Sequence, residues 1–370
     1  MRAFKKGRGV RVRALQITLF ALTLFTACIG NAAPADPPRA QQQPEKSREP
    51  RPRITVSEKT TRILQPLDAE GYVDYFAALN QMTSQGVTPE NNAEVLFVRA
   101  LGGSDLQPPA RARFFKLLKI ERLPERGEYL AEFAQFVKEK TGRHATKKEE
   151  ADFSSATQEP WAASDLPLVA EWLTSQAKPL DLIVEGTKRP KCYIPLAGSR
   201  QAGLLAVPLP AVQATRLPAR ALAARAMLRL REGKLSEAEQ DLLACHRLGR
   251  LVGSAPFLIP ALIGIAIDVT ACQGDARLME QGRLTAESAL AYQQELRRLA
   301  SLPVMADVID GPERFVFLDQ VSIFARDPKN APHGVPDIFL RDYWDEILKF
   351  GNTQFDKAVA AARLPTAPER

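Results

Sequence analysis

From Ile54 onward, apolar residues recur at steps of three and four, and the strict alternation of half-buried strands is nearly absent. Asp68 is predicted to open a helix through Gly71, Tyr72, Tyr75, Phe76 and Leu79 to a stop at Gly86. Thr88 and Pro89 stand as cap and first residue of a second, Glu90–Leu101, closed by Gly102 and Gly103. Similar patterns predict helices over Pro109–Leu118, Gly127–Lys140, Ser164–Thr174, Pro208–Arg231, Pro256–Gln273, Thr285–Ala300, Pro303–Arg326 and Asp337–Ala362, the last broken near Gly351. Ser236 and Glu239 have the spacing of a capping box. Behind them Ala238, Leu242, Cys245, Gly249 and Val252 draw one buried stripe.

Phe257–Cys272 differs from these amphipathic segments, being apolar on all sides apart from Asp268 and threonine. A helix of that kind is expected to have no solvent face and to form the hub of the core; at sixteen residues it is short for a membrane span. Prolines 179, 190 and 195 exclude a central strand over 180–196 and leave a helix end with a loop, or a short hairpin. The expected fold is therefore all-α: about ten helices in antiparallel pairs, as an irregular bundle or solenoid-like stack.

The first residues change the picture of charge. The chain carries 50 basic and 43 acidic residues, for a net charge of +7. Arg2, Lys5, Lys6, Arg8, Arg11 and Arg13 precede a fourteen-residue apolar run, Ala14–Ala27, and from Ile29 onward the count is 44 against 43. The remainder is nearly neutral, which removes the electrostatic case for a nucleic-acid partner. A basic stretch before a short apolar run is the shape of a signal peptide over 1–27.

That run ends Leu24-Phe25-Thr26-Ala27-Cys28, which resembles a bacterial lipobox and implies lipidation of Cys28; Phe25 stands where leucine is usual. Cleavage after Ala33-Pro34-Ala35 satisfies the ordinary small-x-small rule equally well. Either route exports the chain. Residues 28–53 then form a proline-rich spacer with no capacity to bury a core, followed by a helical subdomain over 54–142, a polar linker over 143–160, a second helical domain over 161–364 and a tail over 365–370.

Two resemblances bear on the fold. Ala226, Gly233, Ala238, Leu242 and Cys245 are spaced as in a tetratricopeptide helical pair, across 222–250, but Arg225 and Arg229 stand where that family carries large apolar residues and no second copy follows. Gly71–Tyr75, Gly86–Ala93, Asp241–Val252 and Gly264–Asp268 resemble an uncharacterised exported family of planctomycete-type bacteria. That resemblance implies export and a shared fold and carries over no catalytic residue.

Little in the chain points to a reaction. Nucleophile-elbow, dinucleotide and phosphate-loop signatures are absent from the sequence, so no cofactor is expected. His144, His246 and His333 stand apart, no Cys-x-x-Cys occurs, and Cys245 and His246 diverge on a helix, so no metal site is expected. Cys192, Cys245 and Cys272 are odd in number. If the chain turns near Gly253, Cys245 faces Leu262 and Cys272 lies too far along to bridge it.

What remains is a set of carboxylates in apolar surroundings: Asp268, Asp307, Asp310 and Asp319, with Arg247, Arg250 and Arg314 as available partners. Asp268, Asp307 and Asp319 are the candidate catalytic residues of an unfamiliar envelope hydrolase. Trp161 and Trp172, three helical turns apart, would line a groove or pack in the core. The reading favoured by this inventory is an exported protein, anchored to the membrane through Cys28, that holds a protein or peptide partner in a helical groove and has an interaction or structural role at the cell envelope.

Overall fold

A computed structural model describes residues 54–103, 108–207, 210–327 and 343–364, so the leader, Cys28, the spacer, His333, Asp337 and the tail lie outside the described residues. Every regular element among them is a helix, with two isolated bridges, Leu67 to Val73 and Asn92 to Lys191, in place of strands. The chain is all-α. The described residues belong to one compact unit, without a division at 143–160.

Among the described residues of the first half there are seven helices: α1 (Tyr75–Thr83), α2 (Ala93–Leu101), α3 (Ala110–Leu118), α4 (Phe133–Thr141), α5 (Lys147–Ala156), α6 (Pro167–Ser175) and α7 (Ala177–Thr187). Several begin elsewhere than the sequence pattern suggests. Asp74, rather than Asp68, caps α1, its side chain accepting the Ala77 N–H at 2.9 Å. Asn92, rather than Thr88, caps α2, because its side chain is also claimed by Tyr193, whose N–H it accepts and whose carbonyl it donates to. The capping box belongs to α5, where Thr146 and Glu149 exchange hydrogen bonds; Ser236 lies inside a helix whose cap makes no side-chain bond. The segment 143–160 thus holds a capped helix that buries Phe153, not a linker.

Phe153, Phe133 and Trp172 pack in tilted and edge-to-face pairs with ring centroids 4.9–5.9 Å apart, joining α4, α5 and α6. Each such pair adds about 0.5–1.5 kcal/mol beyond its buried area. Trp161 and Trp172 are both core residues, their indole N–H groups donating to the carbonyls of Ala224 and Ala131. Residues 188–196 leave α7 as irregular chain rather than as a hairpin, tied to α2 by the bridge at Lys191.

The second half contains α8 (Pro210–Ala214), α9 (Arg216–Arg231), α10 (Leu235–Gly253), α11 (Leu258–Glu280), α12 (Ala286–Arg297), α13 (Met305–Val308), a π-helical turn over Ile309–Glu313 around Pro312, α14 (Arg314–Arg326) and α15 (Trp344–Ala362). α9 and α10 form an antiparallel hairpin that turns at Gly233, whose φ of +77° suits a residue without a Cβ. Arg225 and Arg229 reach across it to Asp241, at 2.7 and 2.6 Å, which is why arginine stands at these positions. Helix α15 continues through Gly351 instead of breaking there, because the glycine makes room for the ring of Phe317.

The hairpin α10–α11 is the centre of the unit. Ser254–Phe257 are spent on the connection, Phe257 at φ +83°, so the second helix begins later than a turn at Gly253 implies. Cys245 consequently faces Ile267, whose carbonyl lies 3.8 Å from its sulfur, rather than Leu262. Cys192, Cys245 and Cys272 are all free thiols. Cys272 lies five residues beyond Ile267, nearer than a turn at Gly253 implies, and it is exposed while Cys245 is buried.

Helix α11 also departs from the expectation of an all-buried hub. It runs 23 residues and is long and apolar enough to cross a membrane by length and composition. One face, carrying Pro260, Ile263, Gly264, Ile267, Asp268 and Ala271, is buried; the other leaves Ile259, Leu262 and Val269 between 38% and 51% exposed.

Candidate functional site

The polar residues that the fold brings together lie along the seam of α10, α11 and α12. The seam is close because two glycines meet in it. A Cβ on Gly249 would stand 2.7 Å from the carbonyl oxygen of Gly264, so the backbones approach to a distance that no larger residue permits. One turn before Gly249, His246 enters the space between the helices, 3% exposed.

Its two ring nitrogens are both engaged by α11. Nδ1 lies 2.8 Å from Oδ1 of Asp268, and Nε2 lies 2.9 Å from Oδ2 of Asp275. Asp268 and Asp275 are seven residues apart, two turns of one helix face, which sets their carboxylates on either side of the ring. Arg250 closes the row on one end, 3.0 Å from Asp268, and Tyr292 of α12 closes it on the other, donating its hydroxyl to Oδ1 of Asp275 at 2.6 Å. Arg247, next to the histidine in sequence, points away to Glu295 of α12 at 2.9 Å.

Electrostatics follow from this order. Burial lowers the pKa of His246, but the hydrogen bonds to Asp275 and Asp268 outweigh it and leave it raised. Burial, then the charge of Asp275, pushes the Tyr292 phenol up, so it remains a donor. The exposed Cys272 thiol is raised by burial of its inner side and by the charges of Asp268 and Asp275. A ring nitrogen of His246, the sulfur of Cys272 and a carboxylate oxygen of Asp275 all lie within 4.8 Å of one another.

The carboxylates singled out in the sequence do not form one site. Asp268 belongs to the row just described. Asp307 is exposed and lies 3.5 Å from Arg363. Asp319 is buried on α14, where it accepts the N–H of Leu204 at 2.7 Å; burial holds its pKa up at about 6 against that bond. The three share no partner among the described residues. Asp310 pairs with Arg314, as the pattern allowed, and the fully buried Arg314 also reaches Asp356 and Asn352. A surface depression of about 620 Å³ is lined by Ala134, Gln135, Lys138, Glu139 and His144, and contains none of these acids.

Sequence reading singled out Asp268 and Arg250, and set His246 aside because its neighbour Cys245 faces elsewhere. It passed over Asp275 and Tyr292. The available signal was the pair of short steps on α11, Asp268 to Cys272 to Asp275 at four and three residues. Fold and site together define an all-α protein with a buried polar row between two helices pressed together at glycine. No family model, no curated protein and no solved structure matches the chain.

Proposed function

We propose that the protein is an exported, lipid-anchored component of the cell envelope that binds a helical segment of a protein partner on the outer face of α11. The observation that carries this reading is the exposed apolar stripe of that helix: Ile259, Leu262, Ala266 and Val269, with Gln273 at its end, recur at steps of three, four, three and four. That spacing is the seam of helix-on-helix packing, and a complementary amphipathic helix would cover it. The leader and Cys28 supply the expectation of export and anchoring, and the near-neutral remainder of the chain agrees with a protein partner rather than a polyanion.

The stripe and the anchor are tested separately in the producing cell. Leu262→Glu together with Val269→Glu changes only exposed positions. It is expected to leave the thermal midpoint unchanged and to abolish the cross-linked complex that the wild-type chain should form in intact envelopes; the absence of such a complex, or one unchanged by the substitutions, rejects the stripe. Mass analysis of the mature N-terminus is expected to find acylated Cys28, and a chain beginning at Asp36 rejects the anchor.

A further inference from the structure

We propose that His246, Cys272 and Asp275 form a zinc-binding site with one coordination position left open to solvent. The three donor atoms come from facing turns of α10 and α11 and lie within 4.8 Å of one another. Zinc ligands at about 2.0–2.3 Å from the ion stand roughly 3.3–3.7 Å apart in a tetrahedron. The Nε2 to Oδ2 separation of 2.9 Å is slightly short of that, and the thiol of Cys272, on an exposed position, can rotate inward. Small side-chain adjustments therefore bring the set to bonding geometry.

The surroundings are those that hold metal ligands in place. A zinc-bound histidine commonly gives its second ring nitrogen to a carboxylate, which fixes both tautomer and orientation. Asp268 occupies that position on Nδ1 at 2.8 Å and is itself held by Arg250. The free oxygen of the Asp275 carboxylate, Oδ1, takes the Tyr292 hydroxyl, which leaves Oδ2 directed at His246. Each inner ligand on the buried side thus has an outer partner. The thiolate and the Asp275 carboxylate would neutralise a divalent ion, and the Arg250–Asp268 pair is already balanced.

The donor set selects among ions. One imidazole, one thiolate and one carboxylate suit borderline-soft Zn²⁺ rather than the all-oxygen preference of Ca²⁺ or Mg²⁺. Three protein ligands leave the fourth tetrahedral position to water or an external donor, on the solvent side where Cys272 lies. The site does not depend on the apolar stripe or on the membrane anchor, and its failure would leave both untouched.

Cobalt(II) reports on it directly. Titrating the full chain with Co²⁺ under reducing conditions is expected to give a 1:1 complex with the intense thiolate-to-cobalt charge-transfer absorption and the visible bands of a tetrahedral ion, both erased by stoichiometric Zn²⁺. Cys272→Ser, an exposed change, should remove the charge-transfer band, and Asp275→Asn should weaken binding further. Tyr292→Phe, which keeps the ring in place, should lower zinc affinity about 10–100-fold. Bound zinc should also shield Cys272 from alkylation, with the rate at Cys192 unchanged. Absence of stoichiometric binding, or binding indifferent to Cys272→Ser, would overturn the site.

Discussion

Gly249 of α10 and Gly264 of α11 meet backbone to backbone, with the Gly264 Cα hydrogen directed at the Gly249 carbonyl and at Gly253. This contact sets the spacing of α10 and α11 and therefore the depth at which His246 sits between Asp268 and Asp275. Replacing either glycine by alanine normally favours a helix, by roughly 0.5–1 kcal/mol. Here a methyl group has nowhere to go.

Gly264→Ala is accordingly expected to destabilise the unit by about 1–3 kcal/mol, against the propensity trend, since the nearest neighbours of its Cβ, in Gly249 and Gly253, are all backbone. Urea unfolding compared with the wild type measures it. A gain in stability would show that the helices separate without penalty.

Glu94 supplies a pH dependence. It is 2% exposed, its Oε2 has no hydrogen-bond partner, and burial raises its pKa from 4.5 to about 8. The unfolded chain releases this proton near 4.5, whereas the folded chain keeps it until about 8. Between those values the unfolded state binds fewer protons, so the contribution of Glu94 to stability falls as pH rises and levels off above pH 8. At pH 7 the loss amounts to roughly 3 kcal/mol. Glu94→Gln should therefore be more stable than wild type at neutral pH and lose this slope, as read from thermal midpoints between pH 4 and 9. Parallel curves for the two proteins would reject the assignment.

The Arg225–Asp241–Arg229 cluster locks the α9–α10 hairpin. Asp241 is 1% exposed and accepts from both guanidinium groups. Asp241→Ala removes the buried partner of both guanidinium groups, leaving Arg225 with Asp181 and Arg229 with Glu237, both more exposed, and is expected to cost about 3 kcal/mol. In a double-mutant cycle with Arg229→Ala the two effects should fall short of additive, because each change removes the same contact. Strict additivity would place the arginines in water.

Some of these relationships could be read along the chain and others could not. The hairpin at Gly233, the helical stripe through Leu242 and Cys245, and Arg250 as a partner for Asp268 depend on neighbours within one or two elements, and local spacing reveals them. The caps show where that reading fails. Thr88-Pro89-Glu90 is a sound local start signal, yet helix α2 begins at Ala93 because Tyr193, about a hundred residues later, holds the side chain of Asn92. Likewise the uniform apolarity of Phe257–Cys272 cannot tell a helix enclosed on all sides from one that keeps an apolar face outward.

By itself the sequence determined that the chain is helical, where many of its helices lie, and that its charge excess resides in the first thirteen residues, since these follow from local propensity, periodicity and composition. Tertiary structure alone decided which face of α11 remains exposed and which donors converge on His246. Both depend on the axial offset between α10 and α11. That offset is set by the four-residue connection Ser254–Phe257 and by the glycine contact at Gly249 and Gly264, neither of which local periodicity encodes.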